Sequence, residues 1–339
     1  MPFIRDILKY DSLSIVGLEK NTGKTECLNY ILGRLPLTRY NVAVTSIGID
    51  GENTDQVTAT AKPEIYLREG FFFSTSEAYY GSRRLVSELL EISDERTSLG
   101  RIVTARVVAG GKVLLSGPSS GVALQRWMAG LKRLGADLCI VDGALSRLSS
   151  ASPAVSKAMI LSTGAAYSAN MTTLVQKTRF ITELIEIELA ERSDIDAFTE
   201  IENGVWGMSK EGQVIDFNLK SSLTLHNLDR NITLGNRAIY VSGALTDRFL
   251  KLIADSKEVK EIVLIVRDFT KIFVTEQSYR SFRKRGGRIR VLQKSRLIAV
   301  CVNPTAPSGY TLDSDILCGK LEEAIHLPVY DIVKNRYDV

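Results

Sequence analysis

The chain has few of the residues that build metal centres, disulfide frameworks or membrane spans. Its four cysteines, Cys27, Cys139, Cys301 and Cys318, stand far apart with no Cys-x-x-Cys pair, and neither histidine, His226 or His326, has a cysteine close by. Neither a zinc site nor a disulfide framework is indicated. No apolar run approaches the length of a bilayer-crossing helix, and the first strand begins almost at Met1 without a basic-then-apolar leader. The expected compartment is therefore the cytoplasm. An excess of one charge is also missing. Against 39 acidic residues there are 43 basic ones, a net +4 over 339 residues, too mild to argue for nucleic acid or an anionic membrane from net charge alone. Partners have to be argued from local features. The length exceeds a typical single core, so two domains, or one with a large insertion, are expected.

What the chain does have is Gly17-Leu18-Glu19-Lys20-Asn21-Thr22-Gly23-Lys24-Thr25, placed between the apolar stretch Leu13 to Val16 and a helical pattern of Leu28, Ile31, Leu32 and Leu35. Strand, loop, Gly-Lys-Thr and helix in that order make a phosphate-binding loop. Backbone N–H groups at a helix start carry partial positive charge and cradle di- and triphosphate oxygens. Gly17, Asn21, Thr22 and Gly23 would supply the cradle. Lys24 would add a point charge toward the β- and γ-phosphates, and the Thr25 hydroxyl a Mg²⁺ ligand. Five residues separate Gly17 from Gly23, and Leu18 stands where the commoner Gly-x4-Gly-Lys pattern has its first glycine.

Strand and helix patterns alternate along the chain, the mark of a mostly parallel α/β sheet flanked by helices. Strands are expected at Ser12 to Val16, Asn41 to Ile47, Leu138 to Val141 and Met159 to Gly164. Helices are expected after Thr25, near Ser76 to Glu91, at Val122 to Leu134 and at about Met171 to Glu191. Ile102 to Val108 and Lys112 to Leu115, joined by Gly110-Gly111, read as a hairpin. From Ser193 the pattern weakens into short β-like pieces. After about Asn236 the alternation returns, through strands at Ala238, Ile262, Ile289 and Leu297. The expected division is a nucleotide-binding domain over 1–192, an irregular β-rich connector over 193–236, and a C-terminal α/β region over 237–339.

A phosphate loop needs a second, metal-side acid at the end of a neighbouring strand, because Mg²⁺ prefers oxygen ligands in near-octahedral geometry. Asp142, followed by Gly143 and Ala144 after a buried-type strand, fits that place and would share the catalytic role with Lys24. As an alternative it is a helix N-cap carboxylate. Asp50, in Ile47-Gly48-Ile49-Asp50-Gly51, is the other metal candidate; the alternative there is an Asp-Gly turn. Glu52 and Asp55 lie close enough to substitute for it.

The Gly-x5-Gly-Lys-Thr loop, the acid after strand 2 and the acid-glycine pair after an apolar strand resemble the dethiobiotin synthetase-type branch of the SIMIBI class of P-loop NTPases, over roughly Leu13 to Glu191. That resemblance implies Mg²⁺ and ATP as cofactors and a homodimer that completes the site. Where the synthetases carry Val-Glu-Gly-Ala-Gly-Gly, this chain has Val141-Asp142-Gly143-Ala144-Leu145-Ser146. A second resemblance rests on Ser14 to Thr25, Thr45 to Gly51, Lys62-Pro63-Glu64-Ile65-Tyr66, Ser162 to Ala166, Asp268 to Phe273 and Val302-Asn303-Pro304. These strings, in order, are similar to the smaller subunits of lysine aminomutase reactivases. The resemblance implies a partner ATPase, an adenosylcobalamin-dependent lysine or ornithine aminomutase as client, and nucleotide turnover that expels damaged cobalamin.

Asn303 follows an apolar strand, and the synthetase resemblance makes it a contact to the nucleotide base; a plain Asn-Pro turn is the alternative. No Asn-Lys-x-Asp motif for guanine is present, which favours ATP over GTP. Asp268-Phe269-Thr270-Lys271, Ser242 to Asp247 and Gly117 to Gly121 each read as a ligand loop or as ordinary turn and cap chemistry. The stretch Arg280 to Arg296 is the most basic, but it ends a helix, where cations are expected for dipole reasons, and lacks interleaved exposed aromatics. No nucleic acid is expected. Three functions compete: a partner-acting nucleotidase, an ATP-dependent small-molecule ligase or kinase, and a module that binds nucleotide without turnover. The extra C-terminal region favours the first.

Overall fold

The computed structural model describes residues 3–47, 65–144, 152–153, 155–223 and 230–334. Asp50, Glu52 and Asp55 lie outside them. The chain forms two units, one of Met1–Arg179 with Ser295–Val339 and the other of Phe180–Lys294. This grouping differs from the expected divisions at 192 and 236. The final segment returns to the first unit, and the β-like pieces after 193 belong to the second.

In the first unit the chain runs through α1 (Phe3–Ile7), β1 (Ser12–Gly17), α2 (Lys24–Arg34), β2 (Val42–Ser46), β3 (Ile65–Leu67) and β4 (Phe72–Ser76). It continues through α3 (Glu77–Gly81), β5 (Arg84–Thr97), β6 (Gly100–Val113), α4 (Gly121–Arg133), β7 (Leu138–Ala144) and β8 (Ala158–Gly164). The chain passes from the first unit to the second within α5 (Met171–Ile185). Among the described residues the sheet of the first unit has ten strands. The two strands that complete it, β16 and β17, come after residue 295, at Arg296–Asn303 and Val329–Asp331. From one edge the order is β17-β16-β8-β1-β7-β2-β4-β6-β3, with β5 paired to β6. Neighbours from β17 to β4 are parallel, and β6 pairs antiparallel with β3, β4 and β5.

The central strands read as unbroken apolar runs because both faces of the sheet are covered. On β7, Leu138 and Ile140 join the core that also holds Leu28 and Ile31 of α2, while Cys139 and Val141 join the core that holds Leu124 and Leu131 of α4. Helix packing on both faces leaves the strand ends as the place where backbone and polar side chains meet solvent. In an open α/β sheet the carboxyl ends are where ligands bind.

Two expectations for this unit are corrected. The helix expected near Ser76 to Glu91 is only the short α3, followed by the 14-residue strand β5. The β5–β6 register shifts at several bulges, so β5 lacks the strict two-residue alternation of a regular strand. The hairpin expected at Gly110-Gly111 is absent, and β6 runs straight through both glycines. Gly111 is there for close approach: a Cβ on it would lie 1.9 Å from the Arg84 carbonyl oxygen on the paired strand.

The second unit contains α6 (Arg192–Phe198), β9 (Val205–Ser209), β10 (Val214–Leu219), β11 (Asn236–Val241) and β12 (Leu245–Thr246). After them come α7 (Asp247–Ala254), β13 (Val263–Val266), β14 (Ile272–Phe273), α8 (Glu276–Lys284) and β15 (Arg288–Val291). Its sheet has the order β10-β9-β11-β13-β15; β9 pairs antiparallel with both β10 and β11, and β11, β13 and β15 are parallel. Its own core is built around Phe249, Leu250, Ile253 and Phe282. Helix α9 (Ser314–Ile325) belongs to the first unit.

Candidate phosphate-binding site

The parallel strands bring Gly17, Ser46, Asp142, Ser162 and Asn303 to one end of the first sheet. Register places Asp142 opposite both Ile15 and Ser46, Ser162 opposite Gly17, and Asn303 opposite Gly164. Residues separated by more than a hundred positions in sequence therefore surround the Gly17 to Thr25 loop.

The loop is closed by its own chemistry. Thr22 is 1% exposed, and its hydroxyl donates to the Glu19 carbonyl at 2.9 Å. Gly17 leaves room for this turn, since a Cβ there would stand 3.0 Å from Thr22 Oγ1. Asn21 and Gly23 both adopt left-handed backbone, at φ 62° and 89°. Asparagine and glycine tolerate that conformation best. Gly23 is also the residue that caps α2, and it brings no side chain to the first turn. The leading N–H groups of a helix have no intrahelical acceptor, and no side chain caps this helix at Gly23.

Lys24 is the first residue of α2, and its Nζ lies 2.8 Å from Asp142 Oδ1, with the side chains 26% and 17% exposed. The contact is an ion pair rather than an aligned hydrogen bond, for Oδ1 is buried with no donor directed along it. Asp142 sits inside β7, whose main-chain oxygen there accepts from Ile47 N–H at 3.1 Å, so the carboxylate is held on a strand and is not a helix cap. Thr25 follows Lys24 on the first turn and is half-buried. The structure thus brings Lys24 and Asp142 together, with Thr25 next to Lys24 in the chain. A carboxylate oxygen is a ligand type that suits a hard cation. Among the described residues no group of three or more His, Cys, Asp or Glu side chains could hold a metal by itself.

Asn303 reaches the loop directly. Its Nδ2 donates to the Asn21 carbonyl at 3.3 Å, and its Oδ1 accepts from Thr305 N–H at 3.1 Å. Ser162 was legible only as part of a strand end. Its hydroxyl donates to the Thr22 carbonyl at 2.6 Å, and its own carbonyl accepts from Leu18 N–H at 2.9 Å. The signal that could have found it is the small polar ending Ser162-Thr163-Gly164, once β8 is placed beside β1.

Two further features lie close by. Cys27, on the second turn of the loop helix, has its sulfur 3.4 Å from that of Cys301 on β16, and both are fully buried. The hydrogen bond to Cys301, and burial after it, push the Cys27 thiol well above its usual range, so it stays protonated. Tyr167, just beyond β8, is pushed up by burial and then by the Glu19 charge, and Lys177 Nζ stands 5.0 Å from its ring centre.

The other loops singled out in the sequence do cap and turn chemistry. Asp268 is fully buried and accepts from both the N–H and the hydroxyl of Thr270. Thr246 caps α7, and Ser120 caps α4. Gly117 is pressed on the end of β2, where a Cβ would lie 2.1 Å from the Ser46 carbonyl oxygen. In the basic stretch, Arg280 pairs with Glu183, Arg285 with Asp255, Arg290 with Glu188 and Lys294 with Glu186. No helix among the described residues is long and apolar enough to cross a membrane.

No protein-family model matches the chain, and no curated protein matches it. Among solved structures, that of pNOB8 ParA bound to nonspecific DNA aligns over 96% of this chain and 99% of that one, at 12% identity. Its TM-score is 0.25, a likeness too low to carry an argument about fold or function.

Proposed function

We propose that the first unit binds a magnesium nucleoside triphosphate, ATP in preference to GTP, at the Gly17 to Thr25 loop and hydrolyses it. The observation that carries this reading is the 2.8 Å contact of Lys24 with Asp142 at the start of α2. A loop cation and a strand-end acid 118 positions apart in sequence meet at the start of a helix, the end whose dipole favours an anion. Asn21, Thr22 and Gly23 present backbone donors to the phosphates. Lys24 turns from Asp142 toward the β- and γ-phosphate oxygens. Thr25 Oγ1 and Asp142 would hold the metal, with Asp50 as a further candidate outside the described residues. Bound there, Mg²⁺ would neutralise charge developing on the transferred phosphoryl group.

The test is Lys24→Ala, assayed for Mg-ATP binding by calorimetry and for phosphate release. Positioning and charge stabilisation carry phosphoryl transfer, so turnover should fall by about a hundredfold or more with the fold intact. Binding and hydrolysis equal to the parent would remove the assignment.

The finer reading is a partner-acting nucleotidase, a reactivating factor for an adenosylcobalamin-dependent aminomutase. It is supported by the ordered strings of the sequence and by a second unit with its own sheet and core, more than nucleotide binding requires. Its test is whether an aminomutase stalled with inactive cobalamin regains activity with this chain, a partner ATPase, ATP and fresh cofactor. Stoichiometric phosphoryl transfer to a small carboxylic acid would favour the ligase reading instead.

A further inference from the structure

A phosphate cradle works only if its peptide groups turn their N–H bonds inward, which requires their carbonyls to be held outward. In this loop those carbonyls have identifiable holders. Glu19 C=O accepts from Thr22 Oγ1, Asn21 C=O from Asn303 Nδ2, Thr22 C=O from Ser162 Oγ, and Gly23 C=O from Cys27 N–H. Two of the four are side chains from outside the loop, on neighbouring strands. Ser162 is fully buried, and its 2.6 Å bond is the shortest of the set. Asn303 is locked by its own surroundings. Thr305 N–H holds its amide oxygen, and its main-chain oxygen accepts from Ala165 N–H at 3.0 Å. The fit is tight enough to demand glycine on both sides. A Cβ on Gly23 would lie 2.8 Å from Asn303 Cβ, and one on Gly164 would lie 2.0 Å from Asn303 O.

We infer that Ser162 and Asn303 are positioning residues of the phosphate cradle, orienting the peptides at Asn21 and Thr22 from strands β8 and β16. This rests on the nucleotide reading above and assigns Asn303 a role other than base recognition. Both ends of its amide already serve the loop and the turn that follows it. The two roles predict different ligand dependence. A base contact matters only to ligands that carry a base, whereas a cradle support matters to any polyphosphate.

The experiment measures affinity for inorganic tripolyphosphate, ATP, GTP and adenosine in the parent, Ser162→Ala and Asn303→Ala proteins, with thermal unfolding of each as a control. Leaving the Thr22 or Asn21 carbonyl without its donor should weaken tripolyphosphate, ATP and GTP alike, by about tenfold for Ser162→Ala and about three- to fivefold for the more exposed Asn303 bond. Loss confined to ATP, with tripolyphosphate unchanged, would make Asn303 a base contact and overturn the inference. Unchanged affinity for every ligand would overturn it as well. If Ser162→Ala does not fold, Asn303→Ala decides the question. A parent protein that binds none of the polyphosphates removes the nucleotide reading itself, an outcome distinct from the failure of these two residues to support it.

Discussion

Replacing Asp142 with Asn separates two effects of one carboxylate. In the resting protein it holds Lys24 Nζ at 2.8 Å, with both side chains mostly covered. Unit charges at that distance attract by about 1.5 kcal/mol in bulk water and about 6 kcal/mol at an effective dielectric of 20. Partial exposure and the cost of desolvating both ions bring the net value down to about 1–2 kcal/mol. A polyphosphate that recruits Lys24 has to break this contact. Asparagine keeps the shape and removes the competitor, so metal-free ATP should bind about 5- to 30-fold more tightly. The same substitution removes the acid assigned to the metal side, so Mg²⁺ should add little or no further affinity, and turnover should fall. Calorimetric titration with ATP in chelator and in excess Mg²⁺ measures both effects on the same variant. Tightening without metal together with loss of the metal increment is the expected pair. A variant that binds metal-free ATP no better than the parent, or that keeps the full Mg²⁺ increment, would refute the reasoning.

Two other substitutions probe what frames the site. Gly164→Ala would set a methyl group 2.0 Å from the Asn303 carbonyl oxygen, backbone against a paired strand, and should cost about 1–3 kcal/mol or more; a chemical-denaturation midpoint equal to the parent's would show that β8 and β16 are not packed this closely. Burial alone would raise the carboxyl of Asp11, but its bonds to Lys132, Lys157 and Ser12 outweigh that and hold it at about 2, so the stability it contributes is present above about pH 4 and lost as pH falls toward 2. Urea unfolding from pH 6 down to pH 2.5 should therefore show a shallower acid limb for Asp11→Asn, and an unchanged limb would mean that these pairs contribute nothing.

The central strands were legible because burial on both faces writes a continuous apolar run, as in Leu138 to Val141, and the Gly17 to Thr25 turn because its residues are contiguous. What was not legible depends on pairing. Bulges along β5 interrupt the two-residue alternation that marks a strand, so the segment did not read as one. Gly110 and Gly111 looked like a turn because glycine marks both turns and close backbone approach, and only the partner strand distinguishes them. The helix expected from Met171 to Glu191 ends at Ile185 instead. Beyond it Leu189 bridges to Val291 and Ala190 N–H donates to the Val291 carbonyl, a strand-like tertiary pairing that local propensity does not contain.

The same distinction runs through the site. The meeting of Lys24 and Asp142 could be expected from the loop's sequence and from the acid's place at the end of an apolar strand. Ser162 could not, because its importance comes from lying opposite Gly17, and that register is a property of two strands. Asn303 was singled out for its loop, yet its contacts are to Asn21, Thr305 and Gly164 and not to open space. These supports also explain why a boundary at 192 does not match the protein. A chain ending there would retain the loop, Asp142 and Ser162, but would lose β16, the sheet neighbour of β8, and with it the donor to the Asn21 carbonyl and the sulfur that packs on Cys27. The loop is written in the first 25 residues, but its conformation is held in part by Ser162 and Asn303, 140 and 282 positions beyond their partners.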